Sequence, residues 1–330
     1  MNILFCSAGR RCMLLENFRK TMGEKGRIIA TDLSITAPAL YFADAYYLVP
    51  PVSSPEYIDR VLEICKKENV DVVTTCIDPE IMVLAKHRKA FSDLGIEVLA
   101  PYEDTAKLCF DKMEMYRYLI KHGIPTVLTY GDLHSFRADL ERGKIQFPVF
   151  VKPRTGSGSV GARPVDNMEQ LREAMEKDPS LIIQEYMAGS VDLDTDVYVD
   201  TVSHKPVSIF SKKKISTTIG GANKTISFHD DALIDFLLRA LAVFQFNGPI
   251  DVDLFYRNGQ YYLSEINPRF GGAYLHAYGA GVDFVKLIEN NLAGVENTPC
   301  FHNYEENVVM MMYDSVVIRK IEQKDNDSRQ

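Results

Sequence analysis

The chain has 330 residues, 46% hydrophobic and 25% charged, the balance of a globular enzyme with room for two or three α/β units around real cores. Its formal net charge of −8 argues against a nucleic-acid partner, because binding a phosphate backbone needs a basic face, and the short run Lys212-Lys213-Lys214 does not supply one. No apolar run approaches the ~20 residues of a membrane span, and the chain opens on an apolar strand of about four residues rather than a leader, so a cytoplasmic protein with no membrane partner is expected.

Six cysteines, Cys6, Cys12, Cys65, Cys76, Cys109 and Cys300, lack Cys-x-x-Cys spacing, which suggests neither a zinc site nor a disulfide framework. Internal repeats are absent, and the polar end from Glu322 to Gln330 is expected to fray. In chain order, Asn2 to Cys6 reads as a buried strand, followed by a small-residue turn and a helix through about Met22. Strands follow at Arg27 to Thr31, ending in Asp32, then at Ala45 to Val49, Val70 to Cys76 and Glu97 to Leu99, with helices at Pro55 to Glu68 and Pro79 to Leu94 between them. This alternation gives an open, mostly parallel sheet of dinucleotide-fold type, with a ligand crevice at the strand C-termini near Gly9, Asp32 and Asp78-Pro79-Glu80. The first turn lacks Gly-x-Gly-x-x-Gly, so a nicotinamide cofactor is not supported.

From Ala106 the texture changes. A helix carrying Lys107 and Lys112 runs to about His122, Gly123-Ile124-Pro125 breaks it, and Phe147 to Pro153 starts a strand containing Lys152. Arg154 to Gly161 is a glycine-rich loop of the kind that folds backbone N–H groups over phosphates, although by itself such a loop is a weak signal. A helix at Met168 to Lys177 precedes an apolar strand from Ser180 that ends in Gln184-Glu185-Tyr186-Met187. Asp192 to Gly294 then holds alternating strands, a helix from Asp230 to Phe244 and a closing helix from Asp283 to Leu292.

Within that stretch, Ile250 to Tyr256 and Tyr261 to Asn267 flank Arg257-Asn258-Gly259-Gln260, the pattern of a β-hairpin with Asn-Gly at its turn. Side chains alternate faces, so Asp251 and Asp253 share one face of their strand while Glu265 and Asn267 share one of theirs. Where the register brings those faces together, Asp253, Glu265 and Asn267 offer hard oxygen ligands suited to Mg²⁺. Pro268 stops the ladder and Arg269 follows, a guanidinium able to hold phosphate oxygens.

Taken together, Lys112, Val151-Lys152-Pro153, the glycine loop, Gln184 to Gly189, Asp253 and Glu265-Ile266-Asn267-Pro268-Arg269 resemble the ATP-grasp superfamily. The likeness is to carboxylate–amine ligases, including amino-acid ligases, and to single-copy relatives of the carbamoyl-phosphate synthase large subunit. It implies an α/β ATP-grasp fold divided into a Rossmann-like pre-ATP-grasp domain at 1–105, an ATP-grasp domain at 106–300 and a C-terminal extension at 301–330. The lid would span about 125–186 and the C-terminal subdomain about 187–300. It also implies ATP and two Mg²⁺ ions, with Mn²⁺ as a substitute, together with small-molecule acid and amine substrates and a homodimer.

The resemblance assigns roles residue by residue. Lys112 and Lys152 would contact phosphates, and Gly156, Ser157, Gly158 and Ser159 would form the flap over them. Gln184, Glu185, Tyr186 and Met187 would be the hinge that reads adenine, Asp192 or its competitor Asp194 would hold the ribose, and Lys212 or Lys214 would lean toward the phosphates. Asp253, Glu265 and Asn267 would bind metal, with Arg269 and Lys152 as the catalytic cations. His229 and His276 are placed near the site, as structural groups or as a base. Arg10, Arg11 and Asp78-Pro79-Glu80 stand either as substrate contacts or as caps and turns. The implied chemistry is phosphorylation of a carboxylate to an acyl phosphate, which an amine then displaces. Phosphorylation of carbamate or bicarbonate is an alternative, as is a nucleotide-binding regulatory module without turnover.

Overall fold

A computed structural model describes residues 1–156, 161–218 and 221–321; Ser157, Gly158 and Ser159 of the expected flap and the polar end from Glu322 lie outside them. Five strands, β1 (Asn2–Cys6), β2 (Arg27–Asp32), β3 (Ala45–Leu48), β4 (Val72–Thr75) and β5 (Glu97–Val98), form a parallel sheet in the order β3-β2-β1-β4-β5. The order reverses between β1 and β4, which opens a crevice beyond their C-terminal ends. The central strand shows why its sequence is apolar throughout. Ile3 and Phe5 pack into one core with α1 (Cys12–Met22), while Leu4 and Cys6 pack into another with α2 (Tyr57–Glu68) and α3 (Asp78–Lys86).

Two expected helices are each broken. The helix expected over 79–94 divides at His87 into α3 and α4 (Arg88–Ser92). The one expected over 106–122 divides into α5 (Glu103–Phe110) and α6 (Lys112–Lys121). Asp111 causes the second break: its carboxylate accepts from Met113 N at 3.0 Å and Glu114 N at 3.1 Å, capping α6.

A four-stranded antiparallel sheet, ordered β6 (Thr129–Tyr130), β9 (Leu181–Glu185), β7 (Val149–Pro153) and β8 (Arg163–Val165), packs its own small core. Phe136 of α7 (Leu133–Glu141) and Leu171 of α8 (Met168–Lys177) meet Val149, Val151 and Ile183 there. The largest sheet has the order β14 (Gln260–Asn267), β13 (Gly248–Arg257), β10 (Val191–Val199), β11 (Pro206–Thr218), β12 (Gly221–Ser227) and β15 (Val309–Met311). Its apolar face, with Leu193, Val197, Ile250, Val252 and Leu254, lies under α9 (Asp231–Leu241). Short helix α10 (Leu275–Gly279) and helix α11 (Phe284–Leu292) join the core around α1. All six cysteines are free, and no helix among the described residues is long and apolar enough to cross a membrane.

The β13–β14 hairpin turns through Asn258 and Gly259, both at positive φ (53° and 80°), as a two-residue primed turn requires. Leu254 pairs with Leu263, yet Asp253 pairs with Glu265, so Ser264 is an extra residue in the ladder. Were Ser264 paired in a regular ladder, Glu265 would share a face with Leu263 and point into the apolar core; leaving Ser264 unpaired as a bulge puts Glu265, and Asn267 after it, onto the polar face. Deleting Ser264 would make Leu263 and Glu265 consecutive and leave Asp253 opposite Glu265, so cooperative thermal unfolding is expected to survive the deletion, and Ser264→Ala should stay within about 0.5 kcal/mol of wild type in urea titrations.

Candidate active site

The polar face of the six-stranded sheet carries Asp192, Asp194 and Asp196 on β10, Lys212 and Lys214 on β11, Asp251 and Asp253 on β13, and Glu265 and Asn267 on β14. Register sets acids opposite acids: Asp194 faces Asp253, Asp196 faces Asp251, and Asp253 faces Glu265. Like charges directly opposite repel, so each needs a cation close by.

Those cations come from several elements. Lys214 Nζ lies 2.6 Å from Asp253 Oδ1 and 3.0 Å from Asp192 Oδ1. Glu265 sits between two lysines, with Lys112 Nζ 3.5 Å from its Oε1 and Lys152 Nζ 3.7 Å from its Oε2. Lys112 begins α6 and also donates to Gly156 O at 2.6 Å, reaching the start of the glycine loop. Arg154 fixes that junction: its Nε donates to both Asp111 oxygens at 2.8 Å, while Lys112 N donates to Arg154 O at 3.0 Å. Burial lowers the Lys152 pKa from its ordinary value, with Glu265 opposing that effect.

Arg269 leaves the hairpin toward the parallel sheet. Its Nε donates to Asp78 Oδ1 at 2.9 Å, and Nη1 donates to Phe270 O at 3.1 Å and lies 3.5 Å from Asp251 Oδ2. Arg11, just beyond β1, donates from Nη2 to Phe270 O and Gly271 O at 2.6 and 2.7 Å. Thus two loops at the switch point of the parallel sheet hold the segment that follows the hairpin. Arg11 and Asp78, read from sequence as substrate contacts or turn residues, make these structural bonds.

Lys212, expected to lean toward phosphates, is instead fully buried, its ammonium 3.0 Å from Asp194 Oδ1 and in a short contact with Asp196. Asp194, Asp196 and Asp251 place carboxylate oxygens within 4.8 Å of one another, and Lys212 is the cation they enclose. Burial acts against its charge, but Asp194, Asp196 and Asp251 outweigh it and hold its pKa above the ordinary lysine value. Burial likewise drives Asp251 well up, and Asp196 up to about 6. Gly271 closes this cage: a Cβ there would lie 2.6 Å from Asp196 Oδ1 and 2.8 Å from Asp251 Oδ1. Lys214 is left as the lysine on the open side. The alternation Asp192-x-Asp194-x-Asp196 opposite Lys212-x-Lys214 is the sequence signal for this cage, and reading only the β13–β14 hairpin misses it.

At the other end of the face, Gln184 is buried with Nε2 donating to Thr129 Oγ1 at 3.0 Å, and Glu185 pairs with Arg257 at 2.5 Å. Tyr186 is exposed and stacks near Phe150, while Met187 is buried. Of the two acids beyond them, Asp194 is buried against Lys212 while Asp192 retains 37% of its side-chain exposure. The two histidines are tied into structure. His276 pairs through Nδ1 with Thr225 Oγ1 at 2.7 Å and through Nε2 with Val308 O at 3.0 Å, and His229 packs its ring on Tyr304.

Asp253 and Glu265 are cross-strand neighbours, and Asn267 Nδ2 lies 3.4 Å from both Asp251 Oδ2 and Asp253 Oδ2. Two carboxylates and one amide oxygen donor, in a sparse set beside Lys112 and Lys152, fit Mg²⁺, which keeps water and phosphate oxygens in the rest of its shell.

Residues 3–99 match the family model for the PylC-like N-terminal domain, and residues 109–273, half of the chain, match that for the ATP-grasp domain. A pyruvate carboxylase component from Methanothermobacter thermautotrophicus is 23% identical over 311 residues, covering 86% of this chain but 62% of that protein, so the chain spans less than two thirds of this relative. Among solved structures, the biotin carboxylase domain dimer of Hydrogenobacter thermophilus 2-oxoglutarate carboxylase, with MgADP, ADP and bicarbonate, has a TM-score of 0.72 at 17% identity, covering 93% of this chain and 73% of that one. An L-amino acid ligase from Bacillus licheniformis has a TM-score of 0.66 at 20% identity, covering 88% and 74%. At these identities the structural likeness is one of fold.

Two outcomes follow from the cage and its border. Lys212→Met leaves three buried carboxylates without their cation, and is expected to cost about 3–5 kcal/mol in urea unfolding, more than Lys214→Met at the open side. His276 has its pKa lowered to about 4 by burial first and then by Lys212. The unfolded chain therefore binds more protons between its ordinary pKa and about 4, and stability falls as pH drops through that window. Unfolding midpoints measured from pH 7 to pH 4 should decline less steeply in His276→Asn than in wild type.

Proposed function

The chain belongs to the ATP-grasp family, and from that premise we propose that it is an ATP-dependent carboxylate–amine ligase that activates a small acid as an acyl phosphate. The observation that carries this reading is the convergence on Glu265 of Lys112 from α6 and Lys152 from β7, with Asp253, Asn267 and Arg269 on the same hairpin or just beyond it.

In this reading, adenine is read by backbone at the end of β9, from Gln184 to Met187, and the ribose by Asp192, the more open of the two acids. Lys112 and Lys152 hold the triphosphate from two directions, and Lys214 balances Asp192 and Asp253. Asp253, Glu265 and Asn267 would hold magnesium, which when bound would offset phosphate charge. The acid's carboxylate oxygen bonds to the γ-phosphorus as the bond to ADP breaks. The amine nitrogen then bonds to the acyl carbon, phosphate leaves with the bonding pair, and the nitrogen gives up a proton. Arg269, held by Asp78, faces the charge that gathers on the phosphoryl oxygens. Alignment and a dry site supply the rate, so no protein nucleophile is required.

A second reading replaces the organic acid with bicarbonate, the anion bound in the similar carboxylase structure. ADP release under Mg²⁺, followed by a coupled assay against pools of acids, amines and bicarbonate, separates the two. The ligase reading expects ADP only when acid and amine are both present, and Glu265→Ala should lower that rate by roughly 100-fold or more. ADP formed with bicarbonate alone would favour the second reading, and ATP binding without turnover in every pool would remove both.

A further inference from the structure

A small cavity of about 20 Å³ lies where the parallel-sheet domain meets the end of the β13–β14 hairpin. Glu265, Ile266, Asn267 and Pro268 form its hairpin side, and Asp78 closes it from the start of α3. Among the described residues, the rest of the wall is Gly156 and an apolar surface: Ile81 and Met82 from α3, with Ala106, Cys109 and Phe110 from α5. Ile81 and Ala106 are buried, whereas Met82, Cys109 and Phe110 are half-buried.

Two of the three residues assigned above to magnesium therefore border this cavity. Asp78, on the same polar edge, accepts from Arg269 Nε at 2.9 Å. An acid whose carboxylate is brought to that metal set and to Arg269 has its next carbon atoms beside the cavity.

Charge decides what kind of substituent can enter. Glu265 already has Lys112 at 3.5 Å and Lys152 at 3.7 Å, and Asp78 has Arg269, so a cationic group would find no free counter-charge. An anionic group would meet both carboxylates at close range. The same two acids act on Cys109: after burial, Glu265 and Asp78 push its thiol up, which keeps it a neutral and weakly polar wall. Volume decides how large the substituent is. About 20 Å³ admits little more than one water-sized group, the scale of a methyl.

Resting on the ligase reading, we propose that this cavity between α3 and α5 is the side-chain subsite of the acid substrate. It selects an acid with a methyl-sized apolar group on the carbon next to the carboxylate, and Met82 and Cys109 set its depth.

The test is ADP release under Mg²⁺, with a common amine pool and two graded series of acids. One series is acetate, propionate, 3-methylbutanoate and succinate; the other is glycine, alanine, valine and aspartate. Propionate or alanine should exceed acetate or glycine in kcat/KM by about tenfold or more, the usual worth of one buried carbon in a fitted pocket. The branched and the anionic members should fall below the methyl member by a similar factor. Met82→Ala deepens the cavity and should raise the ratio of branched to methyl member on the order of tenfold, while Cys109→Met fills it and should erase the methyl advantage. A changed preference between two substrates does not arise from general loss of folded enzyme, and the wild-type series decides the size preference even if one variant fails to fold. A wild type that uses all members within about threefold, or favours the unsubstituted or anionic ones, overturns the proposal and leaves the ligase reading standing. So does a preference that neither variant moves, or ADP release in broad acid pools but from no member of either series. Absence of ADP release from every pool removes the ligase reading and this subsite together.

Discussion

Compensation of like charges on one face of an antiparallel sheet is the constraint from which the rest of the molecule follows. Three cross-strand pairs there are acid against acid, and a sheet cannot close over such pairs unless cations reach them. Lys212 and Lys214 are supplied by the sheet itself, whereas Lys112 and Lys152 come from α6 and from the four-stranded sheet. Electrostatics thereby places the smaller sheet: Lys152 must stand over Glu265, and the strand carrying it must follow. Lys112 and Lys152, which neutralise Glu265, are also the cations proposed above to hold a triphosphate, whereas Lys212 is committed to its cage.

Much of this could be read from the residues in order. The parallel sheet was legible because its strands are continuous apolar runs between amphipathic helices, and the hairpin because Asn258-Gly259 leaves few alternatives for the turn. That Lys112 and Lys152 would meet at one place was legible only through their spacing and order along the chain, and the structure brings both to Glu265. Lys212 was not, because period-two alternation says which face a lysine occupies but not how deeply that face is covered; Gly271 and the loop around it bury Lys212 while leaving Lys214 near the opening. The break at Asp111 was missed because an N-cap acid inside a run of helix formers looks like one more polar position until its carboxylate is seen to bond the following amides, and the break at His87 because its side chain makes no capping bond that would mark it.

The parallel sheet does more than precede the ATP-binding core. Its loops after β1 and β4 contribute Arg11 and Asp78, which bind the backbone carbonyls and the guanidinium of the segment leaving the hairpin. A guanidinium anchored through one nitrogen to a carboxylate and through another to a carbonyl has few orientations left. The crevice at the strand ends and the arginine that follows the hairpin are thus mechanically joined, although nearly two hundred positions separate Asp78 from Arg269 in the chain (269 − 78 = 191).

The bulge at Ser264 has a meaning for the gene as well as for the fold. In a regular hairpin closed by a two-residue turn, facing positions are separated by an odd number of steps, so Asp253 would face Ser264. The extra residue makes the separation between Asp253 and Glu265 even, 265 − 253 = 12. Loss of Ser264 would make that separation odd and regular with both carboxylates still on the polar face, whereas one residue inserted without a second bulge would send one of them into the apolar layer. A one-residue change of length in this hairpin is therefore compatible with the site only where the ladder gains or loses a bulge together with it.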